Sequence, residues 1–404
     1  RVRTAVEAAV RRVARGATTR YVAALFEGAP MSEAASARAI RPYDRPTELD
    51  ARWEKPARYN AFDRFWLGLI RDERDLEIVY TALSRSAVVL PLAALLYISG
   101  DFPWWAGLAY IGIVFKGFMA RFVLMLHCVS HRALFKKDVD VLNHWIPVVM
   151  GPFFGQTPYT YYSHHMGIHH PENNLYDDLS STMKYQRDKF GHFLLYWADF
   201  FFVNLFKVPA YFKRKNRTKL LRRFVTGELG WYVAVAIGMW LAPWPTFWVF
   251  LLPMVLIRWF MMCGNWGQHT FVDPADPNNP FKNSVTLTNA RHNRNCFNDG
   301  YHIVHHAKPA MHWSEMAEEF DKNLEAYAEN RAIVFDGIHN FQTVWNWAMR
   351  KRYDLLADHM VDLPGWELTR DEKIELLKSR TRPIPRNAWN TTPSLARKHA
   401  RAAK

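Results

Sequence analysis

Apolar residues are concentrated in four long blocks along the chain. The blocks form two pairs, each joined by a turn of three or four residues, and cover residues 80–99, 104–126, 229–242 and 246–263. A membrane-spanning helix needs about 20 predominantly apolar residues. Tryptophans lie near the block ends, as at a membrane interface. The pattern predicts an all-α membrane protein with four transmembrane helices and a polar helical cap. Buried helices of a soluble protein are the alternative, and the short turns favour membrane hairpins.

A fifth apolar stretch, residues 190–206, is interrupted by His192, Asp199 and Asn204. We expect it to lie in the membrane interface. Residues 207–223 follow it with eight Lys or Arg and no acid, whereas both short turns lack basic residues. The positive-inside rule then predicts that the basic loop and both termini lie on the cytoplasmic, matrix or stromal side of a multi-pass protein.

The remaining sequence is polar and suggests three parts. Residues 1–79 form a basic N-terminal segment, residues 80–270 hold the four spans with a cap insertion at 127–228, and residues 271–404 complete the cap. Amphipathic helices are predicted at 314–331 and 339–352. Residues 1–30 contain six Arg and two Glu, which suits an organelle transit segment, a basic surface helix or plain solvated sequence.

Composition agrees with this division. The 404 residues are 50% hydrophobic and 15% aromatic, which excludes a disordered or fibrous chain. The mean hydropathy of −0.22 is an average of apolar spans and a polar cap. The formal net charge of +14 is therefore interpreted as a signal of how the protein is oriented in the membrane. No nucleic acid partner is expected. Three cysteines are too few for a disulfide framework and fit a reducing compartment.

Ten of the 17 histidines fall in four short clusters beside the predicted spans. The clusters read HCVSH, YYSHHMGIHH, NWGQH and DGYHIVHH, and they contain His127, His131, His164, His165, His169, His170, His269, His302, His305 and His306. Two histidines three or four residues apart lie on one face of a helix, whereas a histidine five residues further on points in another direction. Two spans separate the second cluster from the third, so all four are expected on one side of the membrane.

This donor set indicates a metal centre. Neutral imidazoles bind Zn, Cu and Fe, and nine or more of them suit two ions with an open position. Carboxylates are scarce in the clusters, so neither a mononuclear two-His-one-carboxylate site nor a Glu-rich di-iron bundle is expected. The HExxH pattern of zinc peptidases is missing from the sequence.

The clusters resemble the histidine boxes of the integral-membrane fatty acid desaturase and hydroxylase superfamily. The Asn265-x3-His269 pair and the GYHxxHH pattern are most similar to the stearoyl-CoA desaturase branch, and the resemblance covers roughly residues 80–312. It implies a di-iron centre in which Asn265 reaches one iron through water. The implied ligands are His127, His131, His165, His169, His170, His269, His302, His305 and His306.

Two departures from the acyl-CoA branch leave alternatives open. The first box has three residues between its histidines where that branch has four, and the second has three before its HH pair where that branch has two. Either His164 or His165 can then be the ligand, and the acyl-CoA substrate of that branch does not carry over directly.

The resemblance implies an O2-dependent oxidoreductase that introduces a double bond into the fatty acyl chain of a lipid or thioester. Neither HPGG nor GxGxxG is present, so electrons are expected from a separate protein of the cytochrome b5 or ferredoxin type. Such a donor could dock on Lys213, Arg214, Lys215 and Arg217, although ordinary positive-inside charge explains these residues as well. Glu172, Asp177 and Asp299 are candidates for orienting ligand histidines.

Other functions use the same boxes. Hydroxylases and ketolases of alkyl, sterol or carotenoid substrates carry them, and an inactive member could serve as a structural subunit of a membrane complex. The presence of every box histidine favours an enzyme. The sequence does not specify the substrate, the electron donor or the oligomeric state.

Overall fold

The computed structural model describes residues 49–339 and 344–385. Two short strands, β1 Thr286–Thr288 and β2 Val334–Asp336, pair in parallel. The helices in chain order are α1 Ala61–Leu69, α2 Glu73–Ser99, α3 Trp104–His131, α4 residues 160–172, α5 Phe190–Arg214, α6 Thr218–Leu241, α7 Pro243–Gln268, α8 Pro280–Asn283, α9 Arg291–Asn295, α10 His302–Ala307, α11 Met316–Lys322, α12 Leu324–Glu329, α13 Asn346–Met349, α14 Tyr353–His359 and α15 Arg370–Ser379.

Five helices of the described chain are long and apolar enough to cross a membrane: α2, α3, α5, α6 and α7. The prediction of an all-α membrane protein is confirmed. The count is one more than the four predicted spans, because the 190–206 stretch belongs to the 25-residue α5. The helices also continue past the apolar blocks into polar sequence, so that α3 carries the first histidine cluster on its last turns.

The hydrophobic core lies between α2, α3 and α7 and the segment 145–154 that follows α3. Phe122 and Phe154 stack at its centre with ring centroids 3.8 Å apart. Gly107 of α3 lies against the indole of Trp248, where an added Cβ would come within 2.2 Å of the ring. This glycine therefore permits the close approach of α3 and α7.

The cap differs from the sequence prediction in two places. The predicted helix 314–331 is divided into α11 and α12 at Asn323, and its N-terminal cap is the ring of His312, which accepts from the Ser314 N–H. Of the predicted helix 339–352, residues 344–349 are helical and include α13, and Lys351, at a φ of 56°, separates α13 from α14. Residues 340–343, the N-terminal segment 1–48 and the tail 386–404 lie outside the described residues.

Asp50 and Ala51 form hydrogen bonds that fix the loop before α10. The Asp50 carboxylate accepts from the Asn289 N–H and from the Asn293 side chain at 2.7 Å. The Asn298 side chain bonds both the N–H and the carbonyl of Ala51 at 2.8 Å. These buried contacts hold the loop that leads into the last histidine cluster.

The approach of α3 to α7 makes a testable prediction. Gly107→Ala should destabilise the protein by about 1–3 kcal/mol, because the new Cβ overlaps the Trp248 ring. Gly112→Ala is the matched control in the same helix, since its Cβ meets no atom within 4 Å. Thermal unfolding in detergent should show a lower Tm for the first variant alone. Equal Tm values would contradict the packing described here.

Candidate metal centre

Nine histidine side chains from four segments converge in the cap as two adjacent groups. Within each group, one ring nitrogen of every histidine lies within 4.8 Å of the others. The two groups adjoin, since the rings of His170 and His306 are 4.9 Å apart. The five-histidine group comprises His127, His131, His165, His170 and His305, and the four-histidine group comprises His169, His269, His302 and His306.

The first and last clusters use ordinary helical spacing. His127 and His131 are four residues apart at the C-terminus of α3, and both rings face the five-histidine group. On α10, His302 and His306 are also four apart, and their Nε2 atoms lie 3.0 Å from each other in the four-histidine group. His305 points from the same helix into the five-histidine group, as expected for adjacent residues that face different ways.

The second cluster departs from the expected spacing because α4 contains a π-helical turn over His165–His169. The His170 N–H bonds the carbonyl of His165, five residues earlier. In this wider turn the two side chains share a face, and their Nε2 atoms lie 3.1 Å apart. The expectation that a histidine five residues on points elsewhere is therefore wrong for this pair. Turns of this type are frequent at functional sites.

His164 lies outside both groups. Its ring packs edge-on against Phe200 of α5 with centroids 5.2 Å apart, and its buried Nε2 has no hydrogen-bond partner among the described residues. His165 instead stands in the five-histidine group, with its Nε2 2.9 Å from that of His131. The structure thus brings His165 to the centre and leaves His164 beside it.

The outward nitrogens of two histidines are held by fixed acceptors. His169 Nδ1 donates to the Asp178 carboxylate at 2.7 Å, and His269 Nδ1 donates to the Asn283 carbonyl at 2.9 Å. Asp178 also accepts from the Ser180 N–H, the Ser180 hydroxyl and the Asn174 N–H. Although burial raises the pKa of Asp178, its interactions with His169 and these donors hold it below its usual range. Such contacts fix the ring orientation of metal ligands.

The three acids named from the sequence have other partners. Asp299 lies 4.0 Å from His127 Nδ1, beyond hydrogen-bond distance, and accepts from the Gln268 side chain at 3.3 Å. Glu172 and Asp177 pair with Lys215 at 3.1 and 2.9 Å. Two of these acids therefore anchor Lys215, which lies between α5 and α6, whereas the carboxylate that contacts a box histidine at hydrogen-bond distance is Asp178, the neighbour of Asp177.

Most of the cations predicted to dock an electron donor bind acceptor groups of the chain itself. Arg214 pairs with Asp177 at 3.1 Å, Lys215 bonds two acids, and Arg217 donates to the Gly167 carbonyl inside the second cluster. Lys213 is exposed. The predicted basic loop 207–223 is mostly helical, since only residues 215–217 lie between α5 and α6. Three of the four cations tie this junction to α4 and the segment after it.

Asn265 does not contact a histidine of either group through its amide nitrogen. That nitrogen donates to the Ser180 carbonyl at 3.1 Å and to the Tyr196 hydroxyl at 2.7 Å. Both partners adjoin the Asp178 segment. Within the structure Asn265 therefore links α7 to α5 and to the loop that orients His169.

The donor set fits a metal centre. Burial, reinforced by the neighbouring imidazoles, holds the pKa of five box histidines well below the usual range, and burial lowers the pKa of His269 to about 3. A neutral imidazole has one N–H and one lone pair. His305 Nε2 lies 2.9 Å from the Nε2 atoms of both His127 and His170, so mutual hydrogen bonds cannot satisfy all three nitrogens. A metal ion bound among these nitrogens would give each lone pair a partner.

A third group of possible ligands, Asp72, Asp75 and His312, is an ion-pair network. The Arg132 guanidinium lies 2.6 Å from Asp72, and Arg74 bonds the same carboxylate at 2.8 Å. These two cations already neutralise the carboxylate that a metal ion would need. We therefore assign no metal to this group.

A small, partly open cavity borders the centre on one side. Three of its lining residues, His127, His131 and His305, belong to the five-histidine group, and none of its lining residues belongs to the four-histidine group. Most of its lining residues are apolar, and Asp75, Arg132 and Asp299 add charged groups to the wall. The cavity's apolar lining includes Ile78, Leu124, Val129, Leu134, Met311 and Met316.

Comparison with known proteins agrees with the site. No curated protein and no solved structure gives a match to the chain. The family model for fatty acid desaturase matches residues 102–337, which is more than half of the chain and includes α3 to α12 with all four histidine clusters. The match does not distinguish the stearoyl-CoA branch from others. The chain belongs to the fatty acid desaturase family.

Proposed function

We propose that the protein is a membrane di-iron desaturase that uses O2 to introduce a double bond into the fatty acyl chain of a lipid or thioester. The observation that carries this proposal is the convergence of nine histidine side chains, as groups of five and four, from the end of α3, the residue after α7 and the cap helices α4 and α10. The family supports an oxidoreductase of the desaturase or hydroxylase type.

In this proposal the five-histidine group holds one iron and the four-histidine group holds the other. Bound iron would supply the redox chemistry that activates O2 against an unactivated C–H bond. Overall, O2 takes up two hydrogen atoms from adjacent carbons, two electrons from the donor and two protons. The products are the double bond and two waters. The chain contributes burial of the centre, fixed ligand orientation through Asp178 and the Asn283 carbonyl, and a place for the alkyl chain.

The cavity indicates from which side the substrate approaches. Because it borders His127, His131 and His305, an alkyl chain that approached through it would meet the five-histidine side of the centre. The apolar part of its wall suits methylene groups, and Asp75 and Arg132 also line it. We therefore assign the substrate carbons to that side.

Electrons would come from a separate carrier of the cytochrome b5 or ferredoxin type. Such carriers are acidic, and the chain has a surplus of positive charge. Since three of the four cations named from the sequence have internal partners, we do not assign the docking surface to them.

The centre also bears on the membrane topology. His131 ends α3 and His269 follows α7, and both lie at the same centre, so an even number of crossings separates them. Three long helices lie between them, α5, α6 and α7. Tyr196, Asn204 and Tyr211 of α5 bond Ser180, Leu179 and Glu172, so α5 follows the cap along its length. We therefore assign four crossings and place α5 in the interface, with the boxes on the cytoplasmic or equivalent side.

The ligand assignment predicts a contrast between adjacent histidines. His165→Ala should lower bound iron from two to about one or fewer per chain and abolish turnover, because it removes a nitrogen from the five-histidine group. His164→Ala should keep the iron content, since its ring packs against Phe200. Iron analysis of the purified proteins provides the measurement, and loss of iron from the second variant alone would reverse the assignment.

The orienting carboxylate makes a second prediction. Asp178→Asn should weaken iron binding about 10- to 100-fold, because the acceptor of the His169 N–H loses its charge. Asp177→Asn is the matched control at the adjacent position, since that acid pairs with Lys215 and Arg214. Iron retention during dialysis against a chelator distinguishes the two. Equal retention would show that Asp178 has no role in the centre.

The reaction itself is tested by product analysis. Cells or membranes that contain the protein and a matched electron donor should accumulate acyl lipids two mass units lighter, with a new double bond located by fragmentation. His305→Ala is the inactive control. A new hydroxyl in place of the double bond would establish the hydroxylase alternative, and iron-loaded protein without any product would favour a structural subunit.

A further inference from the structure

Two opposite charges are buried between helices that we assign to the membrane. Glu228 of α6 is 5% exposed and Arg258 of α7 is 9% exposed. One guanidinium nitrogen of Arg258 lies 3.0 and 3.1 Å from the two carboxylate oxygens. Ionisable residues at such positions are costly and usually functional. The metal centre described above does not account for this pair.

The carboxylate also bonds the segment that begins the second histidine cluster. The hydroxyls of Thr157 and Thr160 both donate to Glu228 Oε1, the second at 2.7 Å. Thr160 is the first residue of α4, and His165 follows five residues later. The carboxylate thus connects two long helices with the start of the helix that supplies ligands to both groups.

The backbone of α6 approaches the same segment closely. Gly227 lies against the Pro158 carbonyl, and a Cβ at this position would come within 1.9 Å of that oxygen. Tyr159, between the two threonines, has a φ of 63°, in the left-handed region that favours glycine. The turn before α4 is therefore held in an unfavourable conformation by contacts with α6.

We propose that Glu228 is a positioning residue for the metal centre. Its carboxylate, neutralised by Arg258, fixes the first turn of α4 through two threonine hydroxyls and so sets where His165, His169 and His170 stand. This inference rests on the proposed function for its consequence in catalysis. A solely structural pair would join α6 to α7 without affecting the histidines.

The test removes the link to α4 and leaves the charge pair intact. Thr157→Val with Thr160→Val replaces each hydroxyl by a methyl group of similar size. Thr246→Val is the matched control, because that buried hydroxyl bonds Tyr97 in the same bundle away from the cap. Thr160→Ser restores the donor. If the double variant does not fold, Thr160→Val alone tests the same link.

Three measurements are made on the full-length protein in detergent: Tm, the Mössbauer spectrum of bound iron, and amide hydrogen exchange over residues 160–172. We expect the double variant to keep a Tm close to that of Thr246→Val, while exchange in the cluster accelerates at least about tenfold, the iron spectrum changes and turnover falls at least about tenfold. Thr160→Ser should match the parent protein.

Unchanged exchange and an unchanged iron spectrum, with only Tm lowered, would overturn the positioning role and leave a structural pair. The exchange measurement does not need metal. If the parent protein bound no iron or formed no product, the proposed function would fail, while accelerated exchange in the variant would still support the role of Glu228 in fixing α4.

Discussion

The structure depends on holding nine imidazole rings together away from water. A neutral ring has one donor and one acceptor nitrogen, and the Nε2 atoms that face one another, as in His127, His170 and His305, cannot satisfy one another by hydrogen bonds alone. Without a cation the cluster is an array of partly unpaired polar groups, which disfavours the compact arrangement. The rings must therefore be supported by the helices that carry them. All nine are supplied by three helices or, for His269, by the residue directly after a fourth.

Local spacing predicted most of this arrangement. A separation of four on a regular helix is sufficient to bring His127 near His131 and His302 near His306, and no distant contact is needed. Spacing failed at α4, because an assumed period of 3.6 residues places His165 and His170 on different faces. The π-helical turn accommodates the extra residue before the HH pair, so that a departure from the acyl-CoA box is absorbed in the backbone. Nothing in the local composition distinguishes such a turn from an α-helix.

Choosing among adjacent acids needed information that a single sequence does not contain. Asp177 and Asp178 are neighbours of the same type, yet one faces Lys215 and the other faces His169. Asn173 and Asn174 both have positive φ, and the Asn174 N–H donates to the Asp178 carboxylate. The apolar pattern likewise located α5 without deciding between crossing and lying along the membrane, because length and composition are the same in both cases.

The proposed metal centre connects the fold with the topology. If histidines from the end of α3 and from beyond α7 bind the same pair of ions, as proposed, the chemistry constrains how often the intervening chain crosses the membrane. The same requirement explains why α5 carries bonds to residues 172–180 over most of its length, and why α6 presents a charged residue, Glu228, to the start of α4. Apolar burial alone would place neither contact there. Under the proposed ligand assignment the histidines therefore constrain the topology as much as the hydrophobic pattern does, and the polar residues inside the bundle connect the two.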